Sequence, residues 1–350
     1  MNFFLSGYYG YGNAGDEAVL AAITQALGAC SPGASFTVAS GDPDATKARF
    51  DSARNPLRAV PRQSPKPLME AIRSCDVFIS GGGSLLQDVT SLRNVVYYTS
   101  LIRFARLSRK PVVIYAQGVG PLRRALSQKL ARAAVQVAHV VSVRDQESKT
   151  LLQRIGVLRA IEVTADPVWA LSPSSSTSRP RMSTPAWALG LRPWPGYEFD
   201  PARSDTIRNG LDAAAQRADA RLRFVPMQAS SDAPIGEWLR REGDETIDTS
   251  ALHPREIMAR CGDCDAMIAM RLHALIFAAS QGVPCVAVNY DPKVEALAQI
   301  IGAPLLNDLS PSSLKSLPKA LEKARPMPAD LLASLQQKAR RTAELTAGAA

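Results

Sequence analysis

The stretch GYYGYGNAGDEAVL, residues Gly7 to Leu20, carries Gly10, Gly12 and Gly15 in the spacing G-x-G-x-x-G. It continues the apolar run NFFLSGYY at residues 2–9 and leads into Val19, Leu20, Ile23 and Leu27, which repeat at helical spacing behind an acidic first turn of Asp16 and Glu17. Strand, glycine turn and helix in this order open a βαβ unit. The same spacing raises the question of a bound dinucleotide. In a dinucleotide turn the pyrophosphate sits on the helix N-terminus, where Asp16 and Glu17 would repel it. The acidic residue expected about 20 positions on, for the ribose, is also missing from the next strand, SFTVAS at 35–40. The glycines are instead expected to shape a tight loop that either presents Asn13, Asp16 or Glu17 to a sugar hydroxyl or caps the helix.

Working outward, the first half keeps alternating short β-rich runs with helical patterns: SFTVAS, a helix near 67–74, DVFIS, the segment from Ser84, PVVIYAQ, a helix from Ser127, and VVSVRD. Such alternation predicts a parallel sheet with helices on both faces. Residues 172–185, SPSSSTSRPRMSTP, interrupt it with a Ser/Pro-rich segment that reads as a linker. The alternation then resumes through AWALGLRPW, LRFVPMQ, DAMIAM and PCVAVNY, with helices around 207–218, 254–261 and from Leu272. The expected organisation is an N-terminal Rossmann-like domain over 1–171, the linker, a C-terminal Rossmann-like domain over 186–325, and a final helix within 326–350 that packs back on the first domain. The fold class is therefore α/β, with two Rossmann-like domains facing a central cleft.

A chain of 350 residues is long enough for two cores, and 46% hydrophobic with 21% charged residues describes a globular protein. No apolar run reaches the roughly 18–20 residues of a membrane span. The first residues read as a strand rather than a signal peptide, which places the expected location in the cytoplasm. Five cysteines, an odd number, fit reduced thiols better than a disulfide framework, and the Cys261-x-x-Cys264 pair has no second pair to complete a zinc site. Paired carboxylates near a histidine are also missing, so no metal is expected; the acidic turn at Asp42 and Asp44 reads as solvated or capping. The net charge of +9 favours acidic partners. Its basic residues are scattered without aromatic interleaving, which argues against nucleic acid and leaves small anions or an anionic membrane surface.

Open α/β sheets bind ligands beyond the carboxyl ends of their strands. The unusual motifs fall at such ends: GGGSLLQD at 81–88, QGVGP at 117–121, VRD at 143–145, LRPW at 191–194, MRLH at 270–273 and YDPK at 290–293. Three consecutive glycines between a strand and a helix would let backbone amides approach a phosphate or a sugar, making Gly82 and Gly83 candidates. Arg271 and His273 occupy the turn from a buried strand into an apolar helix, where guanidinium, imidazole and helix amides can converge on one anion. His273 suits proton transfer near neutral pH. Arg144 and Arg192, at strand ends in either domain, are further anion clamps or else surface ion pairs.

Taken together, GYYGYGNAGDEAVL, GGGSLLQDVTSLRNVVYY, QGVGP, VRDQES, ADPVWAL, GLRPW, MRLHALIFAA and YDPKV resemble the polysaccharide pyruvyl transferase family, and within it the CsaB branch acting on secondary cell-wall polymers. The resemblance runs over residues 2–300. It implies a GT-B-like fold, phosphoenolpyruvate as donor with no cofactor, and a pyruvate ketal placed across the 4- and 6-hydroxyls of N-acetylmannosamine in a lipid-linked precursor. Polymers modified in this way retain S-layer proteins at the cell surface. The resemblance also implies that Arg271, Leu272 and His273 bind the donor with Arg144 or Arg192, His273 and Arg271 being catalytic. Asn13, Asp16, Glu17, Gly82, Gly83 and Asp88 become candidates for the acceptor side. The alternatives are a nucleotide-sugar glycosyltransferase and a non-catalytic polysaccharide-binding protein. A lipid-linked acceptor predicts peripheral contact with the inner face of the cell membrane.

Overall fold

The computed structural model describes residues 1–89, 91–174, 184–194 and 201–349. The chain divides into two compact units. The first comprises Met1–Tyr11, Asp16–Leu171 and the residues from Ala333 onward; the second comprises Gly12–Gly15 and Ser172–Leu332. The change of unit after Leu171 falls at the start of the Ser/Pro-rich segment, most of which (175–183) lies outside the described residues. Two details differ from the domains expected of the sequence. Gly12–Gly15 is grouped with the second unit, and the return to the first unit falls inside the last helix, at Ala333.

The first unit runs β1 (Asn2–Tyr9), α1 (Ala14–Cys30), β2 (Ser35–Ser40), α2 (Pro43–Phe50), β3 (Leu57–Pro61), α3 (Pro65–Ser74), β4 (Val77–Ser80), β5 (Gly83–Leu86), α4 (Leu92–Leu107), β6 (Val112–Val119), α5 (Ala125–Gln136), β7 (Val140–Val143), α6 (Gln146–Arg154) and β8 (Glu162–Val163). Its sheet has the order β3-β2-β1-β4-β6-β7-β8, with β5 added alongside β6, and every pairing is parallel. Parallel strands covered on both faces carry near-continuous apolar runs, and VFIS of β4 and all eight residues of β6 are buried. The core beneath includes Phe4 stacked on Phe78 at 5.5 Å.

The second unit runs β9 (Ala186–Gly190), α7 (Pro201–Arg217), β10 (Arg221–Phe224), α8 (Ala229–Leu239), β11 (Glu245–Thr246), α9 (Pro254–Gly262), β12 (Ala266–Ala269), α10 (Leu272–Ala279), β13 (Cys285–Val288), α11 (Pro292–Ile301), β14 (Leu305–Leu306), α12 (Pro311–Leu314) and α13 (Leu317–Lys323). Its parallel sheet has the order β11-β10-β9-β12-β13-β14, a doubly wound arrangement of the Rossmann type. Helix starts follow local chemistry: Asp291 caps α11 through the amide of Lys293, and His253 with Glu256 forms a capping box on α9. The last helix, α14 (Ala329–Ala347), contributes buried Thr342 to the first unit, where its hydroxyl lies 3.2 Å from Ser142 Oγ and 3.1 Å from Thr164 Oγ1.

The reversal of strand order is what positions a site. In the first unit it lies between β1 and β4, in the second between β9 and β12. At each reversal the connections leave toward opposite faces and open a crevice at the carboxyl ends of the two strands.

Candidate functional site

In the second unit the reversal brings two sequence-predicted segments side by side. β9 and β12 pair from Trp187 to Gly190 and from Ala266 to Ala269, and the amides of Met270 and Arg271 both donate to the Gly190 carbonyl. Arg192 and the turn Arg271–Leu272–His273 thus issue from adjacent strand ends. Arg271 is the N-cap of α10, with His273 in the first turn, where the helix dipole favours negative charge.

The Arg271 side chain is not an open fork. It is 8% exposed, and its Nε and Nη2 bond the two carboxylate oxygens of Asp232, 3% exposed, at 2.9 and 2.5 Å. Ser231 Oγ and the Gln228 amide complete the Asp232 shell at 2.8 and 3.1 Å. The bidentate pair fixes the guanidinium plane and leaves its Nη1 edge for another acceptor. Asp232 and Ser231 were missed in the sequence because ASSDAP carries no motif; only the fold brings the start of α8 to Arg271.

His273 has a second fixed neighbour. The Gly12–Gly15 loop belongs to this unit: Asn13 forms an antiparallel bridge with Gln228, the Ala14 amide donates to the Met227 carbonyl at 2.6 Å, and Asn13 Oδ1 accepts from the Gly15 amide at 3.0 Å. A Cβ on Gly15 would lie 2.2 Å from His273 Nδ1. The third glycine of the G-x-G-x-x-G pattern is therefore there to let the loop lie on the imidazole. Arg192 follows β9, its guanidinium over Trp194 and Tyr290 at 5.2 and 5.4 Å from the ring centres, with Nη1 3.4 Å from Tyr290 Oη. Among the described residues no carboxylate pairs with it.

In the first unit the reversal gathers a different set. Arg144 follows β7 and is netted on three sides: Nε to Asp145, Nη1 to Asp166 and Nη2 to Ser84, each at 3.3 Å. Gly83, with φ of 84°, starts β5; a Cβ there would lie 3.1 Å from Asp16 Oδ1. Asp16, Gly83 and Arg144 are thus gathered at these strand ends, with Ser84 and Asp166 as members that the sequence did not single out.

Three expectations change in this unit. The three glycines lead into the short strand β5, not into a helix, because Gly83 and Leu86 pair with Gln117 and Val119. The space left by two of them is filled by the protein itself, Gly81 by Tyr9 Oη and Gly82 by Val19. Asp88 is 1% exposed, and its two oxygens accept the Arg123 and Arg124 amides, both at 2.8 Å. Those amides hold its carboxyl below the usual range despite the opposing effect of burial, and its work is to fix the entry to α5. Glu17, 2% exposed, turns inward: Oε1 accepts the Gly10 amide at 2.7 Å, and Oε2 has no hydrogen-bond partner among the described residues. Burial raises its carboxyl to about 7.

Asp42 caps α2 through the Ala45 amide, so the acidic turn there serves the helix. Cys261 and Cys264 are buried free thiols, both pushed up chiefly by burial, Cys264 to about 11, and neither is a nucleophile near neutral pH. Among the described residues no three His, Cys, Asp or Glu side chains group as metal ligands, and no helix is long and apolar enough to cross a membrane.

Comparison with known proteins agrees with this layout. Similar solved structures include the UDP-GlcNAc 2-epimerase of Methanocaldococcus jannaschii (TM-score 0.67, 12% identity, 98% of each chain covered). They also include the UDP-GlcNAc 2-epimerase of Neisseria meningitidis bound to UDP-GlcNAc (0.64, 12%, 99% of each chain) and Anabaena HepE in complex with UDP-glucose (0.59, 13%, 99% of this chain and 95% of that one). At such identities the likeness is one of fold, and the fold is a GT-B-like pair of Rossmann-type domains. Among curated proteins no match to the sequence is found. The family model for polysaccharide pyruvyl transferase matches residues 13–292, from the loop that packs on His273 to the start of α11. With four fifths of its length matched, the chain belongs to the polysaccharide pyruvyl transferase family.

Proposed function

We propose that the protein transfers the enolpyruvyl group of phosphoenolpyruvate to a sugar in a lipid-linked secondary cell-wall polysaccharide precursor, as in the CsaB branch, forming a 4,6-ketal on N-acetylmannosamine and releasing phosphate. The observation that carries this reading is the Arg271–His273 turn: a histidine in the first turn of α10, next to an arginine whose plane Asp232 fixes. Phosphoenolpyruvate presents a carboxylate and a phosphate, so it needs guanidinium and amide donors, and this reading takes no metal or cofactor beside them.

In the reaction, C3 of the donor gains a proton, C2 forms bonds to two sugar oxygens, and the bond from C2 to the phosphate oxygen breaks. Of the two hydroxyl protons released, one balances the proton taken up at C3 and the other leaves with the phosphate. His273 supplies the proton or stabilises the departing phosphate. Arg192 is the better second clamp, because no carboxylate among the described residues competes for it, whereas Arg144 already faces two. Leu272 lends backbone at the helix start. On the acceptor side Asp16 and Asn13 remain the candidates to orient hydroxyls, while Glu17, Gly82 and Asp88 are taken up by contacts within the first unit. The net charge of +9 suits a lipid pyrophosphate at the inner membrane face.

The test is phosphate release from phosphoenolpyruvate, with and without a synthetic lipid-linked N-acetylmannosaminyl-glucosamine, in EDTA. Release that needs the acceptor and survives chelation is expected. His273→Ala should lower it roughly 10²–10⁴-fold, and a loss below about threefold removes His273 from proton transfer. Thermal stabilisation by UDP, with none by phosphoenolpyruvate, would overturn the reading in favour of a glycosyltransferase.

A further inference from the structure

The first unit carries a second constructed feature, built from residues to which the proposed reaction assigns no role. Alternation along β1 turns Tyr9 into the core and leaves Tyr8 37% exposed. Tyr11, two residues past the strand, stacks on Tyr8 with ring centres 4.4 Å apart and planes 15° from parallel. Tyr11 also lies flat on the chain that follows β2, since a Cβ on Gly41 would come 2.7 Å from its ring, so only glycine fits there.

Beside this platform stands Arg62, which follows β3 and is anchored by its amide to the Ser40 carbonyl at 2.9 Å. Its guanidinium carbon lies 4.5 Å from the centre of the Tyr97 ring, 5.4 Å from Tyr11, 5.5 Å from Tyr98 and 6.0 Å from Tyr8. Phenols supply the polar contacts: Nη2 lies 3.4 Å from Tyr98 Oη, and Tyr97 Oη donates to the Arg62 carbonyl at 3.1 Å. Among the described residues no carboxylate pairs with Arg62. The cation is held by ring faces and keeps its charge uncompensated.

Tyr8, Tyr11, Arg62 and Tyr97 line one groove of about 870 Å³, with Leu68 and Phe104 among its apolar lining. That size suits a ligand of two to three rings. It opens at the carboxyl edge of β1 and β3, the edge on which open α/β sheets bind ligands. Flat aromatic faces take the C–H faces of pyranoses, phenol hydroxyls meet sugar hydroxyls, and a guanidinium without a counterion takes a carboxylate or phosphate. A prenyl chain would leave those phenol hydroxyls unmatched, which disfavours a lipid occupant.

We propose that this groove is a saccharide-binding subsite for an anionic glycan, in which the tyrosine platform stacks on pyranose rings and Arg62 pairs with a sugar carboxylate or phosphate. The choice of a glycan rests on the reading of the chain as a glycan-modifying enzyme, but the binding is measured without donor or turnover.

Titration calorimetry on the full chain, with hyaluronan tetrasaccharide, glucose 1-phosphate and uncharged chitotetraose as probes, tests it. At least one anionic probe should bind with a Kd at or below about 1 mM, weakening with added salt, and chitotetraose should bind about fivefold or more weakly. Arg62→Met and Tyr8→Leu should each weaken the anionic probe by about five- to tenfold, and the exposure of Tyr8 keeps the second variant folded if the first is not. His273→Ala should bind the probe as the parent does while losing phosphate release, which separates this site from the donor chemistry. No binding of either anionic probe, unchanged binding by Tyr8→Leu, equal binding of chitotetraose, or uptake of geranylgeranyl phosphate from neutral vesicles that saccharides do not displace would each overturn the assignment.

Discussion

At the residue scale, two positions repay direct tests. Gly15 is the floor on which His273 rests, so Gly15→Ala pushes a methyl group into the imidazole. The overpacking should cost about 1–3 kcal/mol, and turnover should fall at least about tenfold with the far-ultraviolet spectrum retained. Phosphate release at parental rates would show that the ring position is not critical. Glu17 is the second. Its carboxyl rises from an ordinary 4.5 to about 7 in the folded chain, because burial disfavours the charged form. The native state therefore holds a proton that the unfolded state gives up between those values. The stability linked to this group is complete below about pH 4.5 and is lost as pH rises toward 7, by at most about 3 kcal/mol. Glu17→Gln keeps an acceptor for the Gly10 amide and should flatten that slope, which urea midpoints at pH 5, 6, 7 and 8 would reveal.

At the scale of elements, two carboxylates read in opposite ways. Asp88 ties the entry of α5 through two amides, so Asp88→Asn turns one acceptor into a donor facing a donor. A loss of about 2 kcal/mol in stability with less than a threefold change in turnover is expected, whereas lost turnover at parental stability would restore Asp88 as a base. Asp232 holds the Arg271–His273 turn from α8. Asp232→Asn leaves the buried Arg271 charge uncompensated, and should cost about 3–5 kcal/mol in stability together with a rise in KM for phosphoenolpyruvate. The contrast was hidden from the sequence. Asp88 sits in a glycine-rich motif and looks chemical, while Asp232 sits in no motif, yet the fold gives structural work to the first and places the second at the site.

At the scale of the molecule, the chain leaves the first unit after Leu171 and returns to it at Ala333. Buried Thr342, Thr346, Ala339 and Ala343 make the returning helix part of that core. Ending the chain after Leu332 should therefore raise amide exchange along β6 and β7, by about 2–4 kcal/mol in opening free energy, and leave β12 and β13 unchanged. Exchange spread equally over both sheets would show that the units do not unfold separately.

The order of elements was legible in the residues, since strand runs such as SFTVAS and CVAV are short, apolar and bounded by turn residues, and buried parallel strands admit little else. So was the position of the Arg271–His273 turn, because a short buried strand running straight into an apolar helix fixes the turn between them. Short-range chemistry of this kind depends on neighbours within a few positions, which the sequence itself specifies. The partners of those residues depend on strand order. Asp232 reaches Arg271 across 39 positions, Gly15 meets His273 across more than two hundred, and Arg62 meets tyrosines from two other segments of the chain. Contacts at such separations follow from which strands pair and which face each helix covers, and those are decided by packing the whole sheet rather than by any local pattern.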